Sequence, residues 1–316
     1  MRKPTQPQSR FRSAVARTGL LLAALAGLGA TYALIARPWL LGWGATAEET
    51  VARLPGDGLV PAAKSQETRA ITIDAPASTV WAWVSQIGQD RGGFYSFQTL
   101  ENLFGCEMPN VEQLVPRLQQ WKVGDKLWMY PPRKAGGAGF ATLALLEPGR
   151  ALGFATRQMG RTLDDAPDAS WSFIVLPLDA TRSRLVFRGR GSGGLRLLPG
   201  IFTLAIFEPV HFAMERRTMT NVKRLAEGRL PSRRTDTAQV ILWTAVFLAF
   251  LAAAVAVLGS RQVAGPLAAL VTLGLLFQVV TLGQPHPAVG AILLAAILAT
   301  VAAQRKALQG SRRRAG

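Results

Sequence analysis

The chain holds one cysteine, Cys106, and two histidines, His211 and His286, among its 316 residues. A single thiol excludes an intrachain disulfide framework and any multi-cysteine zinc or iron–sulfur site. Two imidazoles leave little material for a histidine-rich metal centre. Acid is scarce as well: 19 Asp and Glu face 36 Lys and Arg, for a net charge of +17. No nucleic-acid-binding module accompanies that charge. The glycine-rich stretches GAGF and GSGGL lack the Lys-Ser/Thr of a phosphate-binding loop, and no Ser-His-Asp arrangement can be assembled. Charged residues make up 17% of the chain and hydrophobic ones 49%, too apolar a balance for disorder.

What is present is distributed unevenly. Residues 1–17 carry five basic residues and no acid, residues 304–316 carry five more and again no acid, and residues 65–230 balance 20 basic against 15 acidic. The basic tails adjoin long apolar runs, the pattern of cytoplasmic membrane flanks. Residues 18–36 contain no charge, and at 1.5 Å per residue a helix over them spans about 28 Å, close to the hydrocarbon thickness. The competing reading, a cleaved signal peptide ending near Ala45-Thr46-Ala47, places the small-residue site well past a run longer than an ordinary signal core. Further on, residues 238–258 are uncharged, Arg261 interrupts, and no charge follows until Arg305. The Pro285 and Pro287 pair divides that second run, giving three spans over 238–303: 238–258, 264–282 and 287–303.

Four crossings put both basic tails and Arg261 on the cytoplasmic side and residues 37–237 outside it. Arg224, Arg229, Arg233 and Arg234 pull the other way. The expected organisation is thus a basic tail (1–17), a first span (18–36), a linker (37–64), a soluble domain (65–230), three spans (238–303) and a second basic tail (304–316), in a multi-pass protein of the cell membrane.

Within the domain, RAITID at 69–74 alternates as a strand, and Ser78 or Thr79 can cap a helix over 80–87. A short helix is expected at 97–104. Strands follow at 126–130, 140–147, 151–157, 170–178 and 184–189, and then a long helix at 209–227 that ends at Gly228 and Pro231. The resulting class is α+β with an antiparallel meander.

Several segments carry a resemblance: RAITIDAPASTVWAWV (69–84), GQDRGGFYSFQTLENLFG (88–105), WKVGDKLW (121–128), LLEPGRAL (145–152), SWSFIVLPLDATRSRLVFRGR (170–190) and EPVHFAMERRTMTNVKRLAE (208–227). With their order, they resemble the SRPBCC superfamily (START-like, polyketide cyclase/dehydrase and lipid-transport proteins). The GQDRGGFYS and EPxHFxMERR stretches resemble a membrane-associated subgroup of it. The resemblance covers about half the chain and implies a helix-grip fold, an antiparallel sheet wrapped on the C-terminal helix with an apolar cavity between them. The implied cargo is a hydrophobic small molecule or lipid.

The expected ligand-binding set is Trp83, Phe94, Tyr95, Trp171, Phe173, His211 and Glu215. Trp81, Trp83, Phe94, Tyr95 and Phe97 form an aromatic cluster that could line a cavity mouth, with ordinary core packing the plainer reading of each. Gly92-Gly93 reads as a tight loop, beside which Arg91 either pairs with Asp90 or holds an anionic headgroup. Glu208, His211 and Glu215, at i, i+3 and i+7, share one helix face and form either an acid–base pair or a partial metal site, for which Glu101, Asn102 and Asn110 are the loose additional donors. The plainer alternative is a histidine hydrogen-bonded to a carboxylate, so no metal and no cofactor is assigned. His211, Glu208, Glu101 and Tyr95 are the candidate catalytic groups if the domain is a cyclase, dehydratase or hydrolase. Cys106 reads as a small buried residue. Arg182, Arg184, Arg188, Arg190 and Arg196 form a basic stripe, either solvated or facing anionic lipid. Residues 197–207 form an apolar stretch that is a lid, a bilayer-dipping patch or buried core. Three functions follow: ligand binding or presentation at the bilayer, an enzyme acting on that ligand, or a ligand-sensing module for membrane-protein partners.

Overall fold

The computed structural model describes residues 6–134, 136, 139–157, 166–193, 200 and 202–314, with side chains for all of these except 6–10, 305 and 308–314. The chain divides into two compact units, 37–236 and, together, 1–36 with 237–316.

The second unit is helical. Helix α1 (Gln6–Thr31) runs through a π-helical turn, Tyr32–Ala36, into α2 (Arg37–Leu41). The expected end of the helix at Ala36 is therefore passed. Pro38 lacks an N–H and crowds the carbonyl one turn back, and the wider π turn before it accommodates both defects. Helices α7 (Arg233–Gly259), α8 (Ala264–Leu282) and α9 (Pro287–Arg314) follow the domain. The last continues through Arg314, into the stretch expected as a basic tail. Four helical stretches, Phe11–Leu41, Arg233–Gly259, Ala264–Leu282 and Pro287–Gln304, are long and apolar enough to cross a membrane. Glycines bring them together: a Cβ on Gly274 would lie 2.4 Å from Leu28, and one on Gly290 would lie 2.5 Å from Leu242. Gln239 and Trp243 both donate to the Val280 carbonyl, and Gln278 donates to that of Leu28.

Unit 37–236 is α+β. After α3 (Ala47–Val51) come β1 (Ser65–Ile73), α4 (Ala77–Val84), α5 (Gln98–Leu103), β2 (Lys126–Trp128), β3 (Phe140–Glu147), β4 (Ala151–Thr156), β5 (Ala169–Pro177), β6 (Ser183–Gly191) and α6 (Glu208–Ala226). The strands form one antiparallel sheet in the order β1-β6-β5-β4-β3-β2, an arrangement consistent with a helix-grip fold. Its inner face packs on α4 and α6 through Ile73, Trp83, Phe154, Phe173, Phe187, Met219 and Val222.

Residues 37–64 are not a free linker. They lie across the outer face of the sheet, where Ala45 and Leu54, with Leu176 of β5, pack on Ala70, Ala151, Ile174 and Val186. This second cover explains why β4 is buried along its length instead of alternating. It also corrects the reading of the arginine stripe. Arg184 pairs with Glu49, Arg188 donates to the carbonyls of Glu49 and Ala52, and Arg190 donates to that of Val60. Arg188 is 1% exposed. These side chains fasten the 44–60 segment to the sheet. Arg182 alone of the described four stays in a solvent-facing turn, paired with Asp179; Arg196 lies outside the described residues.

Candidate functional site

Among the described residues the interior beneath the C-terminal part of α6 is packed, where the resemblance implied an apolar cavity. Phe154, Phe173 and Phe187 are fully buried, and Phe173 meets Phe187 at 4.4 Å between ring centroids. The open space lies toward the N-terminal end of α6. There a groove of about 480 Å³ runs between the ends of β1, β5 and β6 and the turn Thr203–Phe207. This volume falls in the range of small-molecule sites. Leu41, Met129, Trp171 and Phe207 supply its apolar wall, and Arg37, Lys64, Glu67, Arg190, Glu208 and His211 its polar groups.

A charged network underlies the groove. Arg69, wholly buried, donates to Glu67 Oε2 at 2.7 Å, to Glu215 Oε2 and to the Leu40 carbonyl at 2.9 Å. Trp171 Nε1 donates to the other Glu215 oxygen at 2.8 Å. Glu215 is thereby bonded at both oxygens, which a buried carboxylate requires. Glu67 Oε1 lies 3.7 Å from His211 Nδ1. The His211 ring stacks on Phe207 at 5.5 Å and tilts against Trp171 at 5.3 Å. Burial pushes the His211 imidazole below its ordinary value; Glu67 opposes that shift and Arg69 adds to it. Its side chain keeps 28% of its surface accessible. At the rim, Arg37 forms a two-pronged pair with Glu208.

Glu67, His211 and Glu215 bring ligand atoms within 4.8 Å of one another, a spacing that could hold a metal ion. The Arg69 guanidinium already lies between the two carboxylates and compensates their charge, so the donor set fits an internal ion-pair network better than a cation site.

Of the residues expected from sequence, Trp171, His211 and Glu208 line the groove, and Glu215 sits directly behind it. Trp83, Phe94, Tyr95 and Phe173 belong to the packed core, Phe94 stacking behind Trp171 at 6.2 Å. The Tyr95 hydroxyl accepts from Gln86 Nε2 at 2.6 Å, and burial pushes its pKa above the ordinary phenol value. Glu101 is 7% exposed on α5, and burial pushes its carboxyl up to about 7. Asn102 and Asn110 brace loops by accepting from the backbone N–H of Met108 and Tyr95. Gly93, at φ +87°, would drive a Cβ to 2.4 Å from Asn110, so this loop owes its glycine to a close backbone approach. Arg91 stacks on Trp121 and donates to the carbonyls of Leu118 and Gln120, a structural role. Cys106 is half-buried, and burial together with Glu101 raises its thiol. In the described part of 197–207, Phe202, Ile206 and Phe207 are more than half exposed. Residues 197–199 and 201 lie outside the described set.

Glu67, Arg69 and Arg37 are the site residues that motif reading missed. The signal for the first two was present: in QETRAITI, Glu67 and Arg69 continue the inward alternation of Ile71 and Ile73, and charge on an inward face needs a partner.

No family model matches the chain, and no curated protein does. Solved structures are similar to part of it. A protein from Thermobifida fusca is 12% identical with a TM-score of 0.31 over 53% of this chain and 97% of its own. One from Mesorhizobium loti is 12% identical with a TM-score of 0.27 over 52% and 98%. A polyketide-cyclase-like protein from Corynebacterium glutamicum is 16% identical with a TM-score of 0.24 over 51% and 85%. The fold itself is carried by this chain's own strand order and helix placement.

Proposed function

We propose that unit 37–236 binds an amphiphilic small molecule or lipid in the groove at the N-terminal end of α6, and that the four apolar helices hold it at a membrane. The observation that carries this reading is the groove itself, in which Trp171, Phe207, Met129 and Leu41 stand over a polar floor. Burial of apolar ligand surface, at roughly 25 cal/mol per Å² before binding costs, supplies the affinity. The polar floor orients the ligand. Tethering beside a bilayer raises the local concentration of lipid-like molecules. The basic termini and Arg261 support an orientation with both ends cytoplasmic and the domain extracytoplasmic.

A second reading, an enzyme acting on the bound molecule, is favoured by one observation: His211 and Glu67 converge at the groove, as an acid–base pair would. Native mass spectrometry of the detergent-purified full chain tests the first reading. A co-purifying lipid-like adduct, weakened by Trp171→Ala, is expected. Adduct-free protein that also takes up no added amphiphile would overturn it.

A further inference from the structure

The polar end of the groove has a specific donor–acceptor character. The Nδ1 edge of His211 faces the Glu67 carboxylate, and that carboxylate is fixed from three sides. Arg69 holds its Oε2. Gly189, its partner across the strand pair, leaves the space that its Oε1 fills, since a Cβ there would come within 2.6 Å of that oxygen. His211 closes the third side. At 3.7 Å the Nδ1 edge makes no direct hydrogen bond to Glu67, yet the nearby carboxylate favours the tautomer with its proton on that side, and a neutral imidazole then presents Nε2 as a lone pair. Among the described residues no hydrogen bond engages His211 Nε2, and the ring keeps an accessible surface along the groove.

The charged groups around it are otherwise matched. Arg37 is paired with Glu208, Arg69 with Glu67 and Glu215, and Arg190 with Asp57 and Gln66; Lys64 is exposed at the rim. Among the described residues lining the groove no buried cation is left over to take an anionic head, and Glu67 and Glu208 repel one. We infer that His211 Nε2 accepts a hydrogen bond from a neutral hydroxyl at the head of the bound molecule. The ligand class is then an uncharged amphiphile with a hydroxyl head, its apolar body lying on Trp171, Phe207 and Met129. This inference rests on the groove-binding reading above and names its ligand class.

The experiment uses the full chain in detergent micelles. Native mass spectrometry compares three probes of equal chain length, 1-tetradecanol, its methyl ether and tetradecanoate. A single hydrogen bond predicts about a tenfold preference for the alcohol over the ether, abolished in His211→Phe. Equal binding of alcohol and ether would overturn the hydroxyl assignment while leaving the groove reading intact. A preference for tetradecanoate would overturn the neutral head. Binding of no probe would overturn the groove reading and the assignment with it. A second measurement does not depend on His211 variants folding. In His286→Gln protein labelled with 15N-histidine, His211 is the one imidazole left. Its nitrogen shifts are expected to report the Nδ1–H tautomer, with a titration that moves to lower pH and a weaker tautomer preference in Glu67→Gln. An Nε2–H tautomer in the parent protein would also overturn the assignment.

Discussion

Helix α6 has two ends with opposite characters. Toward its C-terminus, Met219, Val222 and Leu225 press into a core closed by Phe154, Phe173 and Phe187. Toward its N-terminus, the same face turns Glu208 and His211 to an open groove, with Glu215 buried behind it. Both ends face the same sheet, so the difference comes from side chains rather than topology. At the closed end the inward positions of the strands carry aromatic and aliphatic groups that interlock. At the open end β1 places Glu67 and Arg69 inward, and β6 sets Gly189 opposite Glu67 and Gly191 opposite Ser65, so the strand pair there offers no apolar side chain to fill the space. One half of the grip is packed and the other carries an open groove.

The largest expected effect that sharpens this comparison comes from Arg69→Met. It leaves two carboxylates buried without their cation and should destabilise unit 37–236 by about 3–5 kcal/mol. Adding Glu215→Leu should recover part of that loss. A melting measurement that finds the single variant neutral would show that the open end is not held by this network. Next is Glu101→Gln, at neither end of the helix. With its folded-state value raised from 4.5 to about 7, Glu101 keeps a proton in the folded chain over a window where the unfolded chain has lost it. Stability therefore falls as pH rises between those values and is level above them. Relative to the parent, the glutamine variant should be gained in stability at pH 8 by on the order of 3 kcal/mol and unchanged at pH 4. Parallel pH–melting curves for the two proteins would remove Glu101 as their source. The smallest effect on stability is expected from Phe207→Ala. This exposed side chain should change stability by less than about 0.5 kcal/mol, yet weaken amphiphile binding several-fold. Loss of folding instead would mean that Phe207 supports the core rather than the groove.

Much of the architecture was legible in the sequence because it rests on local pattern. β3 runs over 140–147 as expected and stops before Pro148-Gly149, and α8 matches the uncharged run 264–282. The outer cover was not legible. GDGLVPAAK has linker composition, and the arginines that hold it, 184, 188 and 190, lie more than a hundred residues away. Half of the site could be read from α6, because i, i+3 and i+7 spacing fixes a helical face. The other half comes from β1, whose partners on α6 are set by tertiary packing. The expected hollow failed for a similar reason. Periodicity says which side of a strand points inward, and the volumes meeting there decide whether the space closes.

The pairing of β1 has a consequence for biosynthesis. It occupies an edge of the sheet, and its neighbour is β6, with Ser65 opposite Gly191. At roughly 5–20 residues per second, a translating ribosome needs on the order of 10 s to deliver that partner. Throughout this interval β1 has no strand to pair with, and the first apolar helix has already emerged. Any commitment of that helix to a bilayer would thus come before the sheet closes, and the domain would finish folding on a chain already attached at its N-terminal end.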